Sequence, residues 1–504
     1  MNMLGAFFRN ILLVCVGLMA IVGTCNAQGI SAKAGAEILH LIRKEKFNLI
    51  LPGAMRDNSV DMWIHAIRIG NPDPMAVHFG GVTGYIIFTD RGGDRIERAV
   101  LSDSNRPPLQ IQKGPDRPDI PGQDESDPLH LKHHSGGPTD LYDIFAPPDD
   151  LRAFVAERDP ETIAVNTSAW LAVSDGISYS EYLKLEKALG PKYSKRIVSA
   201  ENVITDFRVR RVQREIIAFA NALELHRQIL ERALSNEVIT PGVTTLGDVG
   251  WWVQEELLKQ NLLKSASGSD GHSKKYSMEV NIPRILYSEK SEPIALPDVR
   301  WWIHHPEYVI QRGDFGTFDV GAGYLDTFQT DYKRNFYVTR DGETTVPKSI
   351  QHAYDRAIAA REIIRPNIKV GKTAEKTLED IVASLEMAGY IYTPFINLGT
   401  EDYKMISIEL ANTDRSGFSI DLHNEGNNPG NIVTVGPSVA PFRLDRAHLK
   451  IQENHLFSFE YMVHTNLPER PGFPVSINIE GNHIVTSRGV EFLHPPNEKI
   501  LIIH

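Results

Sequence analysis

Four carboxylates in the C-terminal part of the sequence are the residues best suited to chemistry: Asp319, Asp331, Glu460 and Glu480. Each lies in a run of strand-forming residues, where an acid is unfavourable unless a cation meets it. Two divalent ions a few ångströms apart need bridging oxygens, which carboxylates on neighbouring strands supply, and such a pair activates a water molecule as nucleophile. The four acids therefore predict a metal site.

The spacing of the first two acids predicts how they meet. Asp319 and Asp331 lie in FDVGAGYLDTFQTDYKRNFYV, which reads as two strands of one hairpin. Side chains on facing strands can converge on a shared cation when they point to the same face.

Composition indicates a globular chain with more than one domain. The 504 residues are 42% hydrophobic and 23% charged, with a formal charge of -11 and a pI near 5.9. This charge argues against a nucleic-acid or anionic-membrane partner, since both require a basic face. A small or peptidic substrate is easier to accommodate.

Residues 1–27 have the pattern of a secretory signal peptide. Arg9 precedes an apolar stretch over 11–22, and small residues then stand before Gln28, where the mature chain is expected to start. We therefore expect a secreted or periplasmic protein with no membrane span after cleavage. A lipidated Cys25 is the weaker alternative, because Val-Gly-Thr ahead of it matches that signal poorly. Cys15 and Cys25 are the chain's two cysteines, so cleavage at this point would leave no disulfide or thiolate chemistry.

The mature chain divides near residue 205. Residues 28–205 mix strand-like and helical runs and contain a long excursion at 103–150 that is rich in Pro, Asp and Gly. Three histidines in this excursion could bind a metal. Because no acids accompany them at fixed spacing, we favour a solvated polar loop over a metal site. These histidines are His130, His133 and His134.

Residues 206–504 form the second predicted unit. Thr205 and Asp206 are expected to cap a helix whose apolar residues recur at three- and four-residue steps. Further helices are predicted over 350–364 and 373–388, with short strands between and after them. The apolar positions of the first helix are Val209, Val212, Ile216, Phe219, Leu223 and Leu230.

The order of motifs carries a resemblance. FDVGAGY and TDYKRNFYV, then SGFSIDLH, FSFE and INIEGNHIVTSRGVEFL, resemble the pita-bread metallopeptidases: aminopeptidase P, prolidase and methionine aminopeptidase. The preceding region, notably VNTSAWLAVSDGISYSEYLKL, resembles the creatinase-type N-terminal domain. The resemblance implies an α+β protein with a C-terminal pita-bread (creatinase/aminopeptidase) fold preceded by a smaller α/β creatinase-type domain.

The resemblance also assigns roles to the acids. Asp319 would chelate one ion, Asp331 and Glu480 would bridge the pair, and Glu460 would hold the second ion. Two divalent ions are implied, with manganese favoured and cobalt or zinc as alternatives.

Three departures from the family pattern leave metal occupancy open. The family's ligand histidine stands seven positions ahead of a second, catalytic histidine; if His423 is the second, Ser416 replaces the first. A serine would leave the second ion without a nitrogen donor. The separation of Asp319 and Asp331 is one residue longer than usual, which predicts a β-bulge. A customary Pro-Gly before Glu460 and the proline after it are also replaced.

Two histidines are candidates for catalysis by the same resemblance. His423 would stabilise the oxyanion, although a buried supporting role stays open. His305, in WWIHHPEY, would contact the substrate, although an ordinary strand-end position stays open. The neighbouring His304 is a candidate for the same substrate contact.

Two functions follow from these residues. The first is an exported metal-dependent peptidase of the Xaa-Pro aminopeptidase or dipeptidase type, which hydrolyses short peptides with a metal-activated water. The alternative is a catalytically impaired pseudopeptidase that binds a peptide or small amide. A Ser-His-Asp hydrolase is disfavoured because no GxSxG motif is present. Relatives with this N-terminal domain commonly dimerise, so a homodimer is expected as an option.

Overall fold

The computed structural model describes residues 30–71, 73–105, 139–262, 280–288, 303–325, 327–394, 400–424 and 436–504. The predicted signal peptide, both cysteines and the three histidines of the excursion lie outside the described residues. Within the described part of the chain, no helix is both long and apolar enough to cross a membrane.

The first part of the chain builds a six-stranded mixed sheet with helices on both sides. Its strand order is β4-β3-β2-β1-β5-β6. The strands are β1 (Met62–Ile67), β2 (Gly84–Thr89), β3 (Glu97–Leu101), β4 (Ile144–Ala146), β5 (Ile163–Val165) and β6 (Ile197–Ser199). The helices are α1 (Ala32–Leu49), α2 (Leu51–Asp57), α3 (Leu151–Arg158), α4 (Tyr179–Tyr193) and α5 (Glu201–Val209).

This sheet is buried on both faces because apolar side chains alternate along its strands. On β1, Trp63 packs with Phe79 and Phe88 in one core, whereas the next residue, Ile64, packs with Leu151 in the other. The arrangement agrees with the α/β unit predicted for this region.

The helix predicted to start at residue 205 begins later. Thr205 and Asp206 lie inside α5, and the long amphipathic helix α6 (Gln213–Ala233) starts after Val212. Val212 is followed three residues later by Glu215, whose carboxylate accepts from the Val212 N–H and so caps the helix. The predicted apolar positions are buried, but Val209 belongs to α5. The domain boundary at 205/206 stays a prediction.

The described residues that follow α6 form two further sheets and four α-helices. The helices are α7 (Leu246–Lys259), α8 (Lys348–Ile364), α9 (Ala374–Met387) and α10 (Thr400–Glu409). The strands are β7 (Arg284–Tyr287), β8 (Phe315–Tyr324), β9 (Phe328–Val338), β10 (Ile391–Tyr392), β11 (Gly417–Asn424), β12 (Ser438–Val439), β13 (Leu456–Leu467), β14 (Arg470–Ile479), β15 (Asn482–Thr486), β16 (Gly489–Phe492) and β17 (Leu501–Ile503).

The two predicted later helices are present as α8 and α9. A 3₁₀ turn at Arg365–Asn367 follows α8, where Pro366 prevents continuation. The Thr373 side chain caps α9, and Gly389 adopts a left-handed φ of 89° just after its end.

The two sheets meet where the four acids lie. One sheet has the order β17-β9-β8-β7; the other runs β10-β11-β13-β15-β16, with β12 on β11 and β14 on β13. Phe318 and Tyr332 of the β8–β9 hairpin pack against α6. Helices α8 and α9 pack on the second sheet through residues such as Ile364 and Ile381. Mixed helices and sheets agree with the predicted α+β class.

Candidate metal centre

The β8–β9 hairpin places three charged side chains on one face. Asp319 pairs with Lys333 and Gly321 pairs with Asp331. Residues paired across an antiparallel ladder share a face, as do residues two apart on one strand. Asp319, Asp331 and Lys333 therefore point the same way, and Gly321 leaves room beside them.

The predicted bulge is not found. Pairing runs without a register shift from Phe315↔Tyr337 to Tyr324↔Phe328. Residues 325–327 lie between the strands, and Leu325 has a φ of 53°. The longer hairpin therefore does not re-aim either aspartate.

Strands β11 and β13 supply the opposing side chains. Asp421 pairs with Glu460, and His423 pairs with Ser458. All four share one face of the second sheet, turned towards the hairpin. Glu460 thus has a histidine and a further aspartate beside it.

Glu480 follows β14 and is buried, with a fully covered side chain. The Ser458 hydroxyl donates to its Oε1 at 2.5 Å. The Asn497 amide donates to the carbonyls of both Lys333, at 2.7 Å, and Glu480, at 3.3 Å. The Asp331 N–H donates to Asn482 at 2.7 Å. These bonds fix the hairpin against the second sheet.

The Lys333 ammonium lies among the acids. Its Nζ is 3.2 Å from Asp319 Oδ2, 2.5 Å from Glu460 Oε1 and 2.6 Å from Glu480 Oε2. The side chain is 3% exposed. An ammonium has three protons, and three carboxylate oxygens surround it here. A cation supplied by the chain itself therefore occupies part of the predicted metal site.

His423 faces the remaining carboxylate oxygens. Its Nε2 is 3.9 Å from Asp331 Oδ2, 3.7 Å from Glu460 Oε2 and 4.0 Å from Glu480 Oε1. Octahedral ligands at about 2.1 Å from an ion lie about 3 Å apart when adjacent and about 4 Å apart when opposite. Only one donor can lie opposite His423, so its three separations are longer than a single octahedral site has. The donor types nevertheless suit a divalent ion: Asp331, His423 and Glu480, and likewise Asp421, His423 and Glu460, each bring donor atoms within 4.8 Å of one another.

The carboxylate groups of Glu460 and Glu480 are divided between these two partners. Each glutamate gives one oxygen to Lys333 and turns the other towards His423. Asp319 lies on the lysine side and Asp331 on the histidine side.

Ser416 does not lie among these side chains, and its expected role as a metal ligand stays a prediction. Its hydroxyl is 2.9 Å from that of Thr465 and 3.5 Å from Arg356 Nε. Thr465 and Glu460 are five residues apart on β13, or roughly 16 Å along the strand. His423 is the histidine that approaches the acids, which makes it a candidate ligand, and its expected oxyanion role stays a prediction.

The charges in the cluster shift each other's pKa values. Burial alone would lower the pKa of the Lys333 ammonium, but Asp319, Glu460 and Glu480 outweigh burial and raise it well above its usual value. Burial would raise the pKa of Glu460, yet the Lys333 charge leaves it lowered. Burial, with the charges of Asp331 and Glu460, raises the pKa of Glu480 well above its usual value. One ammonium therefore does not balance all the acids.

Two arginines lie at the edges of the site. Arg284 is 3.6 Å from Asp319 Oδ2 and its side chain is 34% exposed. Arg443 donates to both oxygens of Asp421, at 3.1 and 3.3 Å. Arg443 offsets the charge of Asp421. The negative charges of the four predicted acids are therefore offset by Lys333, Arg284 and any bound ion.

His305 lies at the surface. Its Nδ1 is 3.8 Å from Glu307 Oε2, and its ring packs edge-on against Tyr308. With 59% of its side chain exposed, it is accessible to a ligand, and its substrate-contacting role stays a prediction.

A sequence profile of known families matches over residues 218–487, which is more than half of the chain; it describes metallopeptidase family M24. The chain belongs to that family. No curated protein matches the sequence. The family consists of divalent-metal enzymes, and the cluster described above holds its candidate ligands.

Solved structures with the same fold cover nearly the whole chain. X-Pro aminopeptidase from Thermotoga maritima aligns with a TM-score of 0.53 at 16% identity, over 89% of this chain and 99% of its own. Xaa-Pro dipeptidase from Bacillus anthracis aligns with a TM-score of 0.52 at 17% identity, over 91% and 99%. A dipeptidase from Mycobacterium ulcerans aligns with a TM-score of 0.52 at 14% identity, over 92% and 98%. The pita-bread fold with its creatinase-type N-terminal domain is thereby confirmed.

Sequence reasoning missed two charged residues of the centre. Lys333 stands two positions after Asp331 on a strand, which places both side chains on one face. Asp421 stands two positions before His423 in the same way. The alternation was visible in the sequence, but the pairing that brings Lys333 opposite Asp319 depends on the length of the turn.

Proposed function

We propose that this chain is an exported metal-dependent peptidase of the Xaa-Pro aminopeptidase or dipeptidase type, acting on short peptides. One observation carries the proposal: Asp331, His423, Glu460 and Glu480 bring ligand atoms together in a family of metallopeptidases. The fold shared with an X-Pro aminopeptidase and an Xaa-Pro dipeptidase supports the choice of substrate class.

The chain's own residues would hold and orient the reaction. A bound divalent ion would lower the pKa of a coordinated water and polarise the scissile carbonyl. Lys333 fixes one oxygen of each glutamate, while Ser458 fixes the other side of Glu480. Asp319, Asp331 and Glu460 keep 26%, 23% and 15% of their side chains exposed, so water and a peptide can reach the cluster from that side. Exposed His305 is a candidate for contact with the peptide.

Peptide hydrolysis tests this proposal. Purified mature protein with Mn²⁺ should cleave Xaa-Pro dipeptides or Xaa-Pro-Xaa tripeptides in preference to the same peptides with alanine in place of proline. Asp331→Asn and His423→Ala should each abolish cleavage, and Ser416→Ala should not. Cleavage that survives both site substitutions would contradict the proposal.

A second function, a pseudopeptidase that binds a peptide or small amide without hydrolysis, is favoured by one specific observation. Lys333 already supplies a cation to three of the four acids. On this alternative, calorimetry in chelator should detect binding of Xaa-Pro peptides while no product forms after Mn²⁺ is added. Product formation that requires Mn²⁺ would exclude it.

Export is part of the proposal and rests on the sequence pattern of residues 1–27. N-terminal sequencing of protein recovered from the periplasm or medium should read from about Gln28. A blocked, membrane-associated N-terminus at Cys25 would indicate the lipoprotein instead.

A further inference from the structure

We propose that this centre takes a single divalent ion, held by Asp331, His423, Glu460 and Glu480, and that the Lys333 ammonium permanently supplies the second positive charge. The inference rests on the proposed function in that it assumes that a metal ion binds, but it does not require that the protein cleaves peptides. It makes Lys333 a positioning residue in a hybrid lysine–metal centre.

The first support is that Lys333 uses oxygens that another ion would need. Its Nζ lies 2.5 to 3.2 Å from oxygens of Asp319, Glu460 and Glu480. An ion coordinated by the same three oxygens, at about 2.0–2.6 Å, would have to occupy the space of the ammonium. The two cations cannot share that position.

The second support is that the other cation position is left complete. Asp331, His423 and Glu480 bring one donor atom each to within 4.8 Å of one another. Asp421, His423 and Glu460 form a second such group, but Arg443 donates to both carboxylate oxygens of Asp421. The second oxygen of Glu460 lies 3.7 Å from His423 Nε2 on the same side. Ions of two-metal sites lie on either side of shared carboxylates, and an ammonium and one ion on opposite sides of Glu460 and Glu480 keep that arrangement with one positive charge fewer.

The third support is the balance of formal charge. Lys333 and Arg284 together offset two of the four negative charges of the predicted acids. One divalent ion would offset the other two. A second ion would add two positive charges to a buried cluster without further carboxylate charge from these acids, which is unfavourable.

Lys333 is also held from its backbone. Its carbonyl accepts from Asn497 Nδ2 at 2.7 Å, and its N–H points to the Glu480 carbonyl at 3.5 Å. Withdrawing the ammonium to admit a second ion would require the aliphatic stem, which is 97% covered, to move out of its packing. The lysine is therefore a fixed component of the centre.

Metal stoichiometry tests the inference. The full mature protein is titrated with Mn²⁺ by calorimetry after chelator treatment, and bound metal is counted by elemental analysis. We expect one ion per chain for the wild type and two for Lys333→Met, whose side chain is similar in length but neutral. Lys46→Met, which removes a buried lysine that contacts Glu215 away from the centre, is the matched control and should keep one ion.

A second variant keeps the test decisive if Lys333→Met does not fold. Asp319 lies on the lysine side, so Asp319→Asn should keep one ion with affinity within about threefold of the wild type, whereas Asp331→Asn should lose it. Two ions in the wild type, none in the wild type, or loss of the ion in Asp319→Asn would each overturn the inference. One bound ion without peptide cleavage would sustain it while the proposed peptidase function fails.

Discussion

Asp319 and Lys333 lie directly opposite each other in the β8–β9 ladder, and their charged atoms are 3.2 Å apart. The hairpin thus supplies an acid of the predicted metal site and the cation that meets it. This pair explains how strand positions tolerate so many buried charges.

Replacing Lys333 should destabilise the metal-free protein. Lys333→Met leaves the Glu460 and Glu480 carboxylates without their cation, and breaking a buried ion pair costs about 3–5 kcal/mol. Urea unfolding in chelator should report this loss, and Mn²⁺ should restore most of it. Lys372→Met, which breaks the half-buried pair with Asp380, should cost no more than about 1 kcal/mol. Equal costs for the two variants would show that Lys333 does not neutralise the acids.

The histidine and the serine of the SGFSIDLH segment should differ in their effect on metal binding. His423→Ala removes a donor that faces three carboxylates, and we expect Mn²⁺ affinity to fall at least roughly tenfold. Ser416→Ala should leave affinity unchanged, because Ser416 contacts Thr465 and Arg356 instead. Calorimetric titration measures both, and an effect of Ser416→Ala would mean that it lies nearer the ion than the structure places it.

Asn497 should matter although it touches no charged group of the acids. Its side-chain amide donates to the carbonyls of Lys333 and Glu480, and its oxygen accepts from Tyr332 Oη at 2.7 Å. Asn497→Ala would leave these buried polar groups without hydrogen-bond partners, which should lower the free energy of unfolding by about 1–3 kcal/mol. Thermal unfolding should show the loss, and Asn466→Ala, which removes a partly buried contact between β13 and the Leu410 carbonyl, provides a comparison. An unchanged melting temperature would argue against this bridge.

Acid should destabilise the protein through buried histidines. Burial lowers the pKa of His464 to about 3 and, with the charges of Arg211 and Arg210, that of His455 to about 3. The ordinary value is near 6.5, so between pH 6.5 and 3 the unfolded chain binds protons that the folded chain does not. Each histidine should therefore remove about 1 kcal/mol of stability per pH unit as the pH falls through this window.

Urea unfolding at a series of pH values measures this effect. His464→Gln should make the acid slope shallower even if it lowers stability at pH 7, and the exposed His448→Gln serves as the control. A wild-type slope in His464→Gln would exclude this linkage.

The fold could be predicted from the sequence more completely than the contacts within the metal centre. Strand-forming runs and motif order predicted the pita-bread fold and the acids that meet in it, because alternation along strands and family order are local signals. A count of seven positions back from His423 pointed to Ser416 as the replaced ligand, but Ser416 immediately precedes β11 and His423 lies near its other end, so the structure does not bring the two side chains together. Lys333 was missed because its partners Glu460, on β13, and Glu480, just after β14, come from the other sheet, and their approach depends on how the two sheets pack.

The ion pairs of Lys333 also bear on how fast the protein comes apart. They join residues 127 and 147 positions apart in the chain, so the loops they close are long and their formation is expected late in folding. Contacts that form after the rate-limiting step slow unfolding and leave the folding rate nearly unchanged. Lys333 should thus act mainly by slowing unfolding. Its loss should raise the unfolding rate more than it lowers the folding rate.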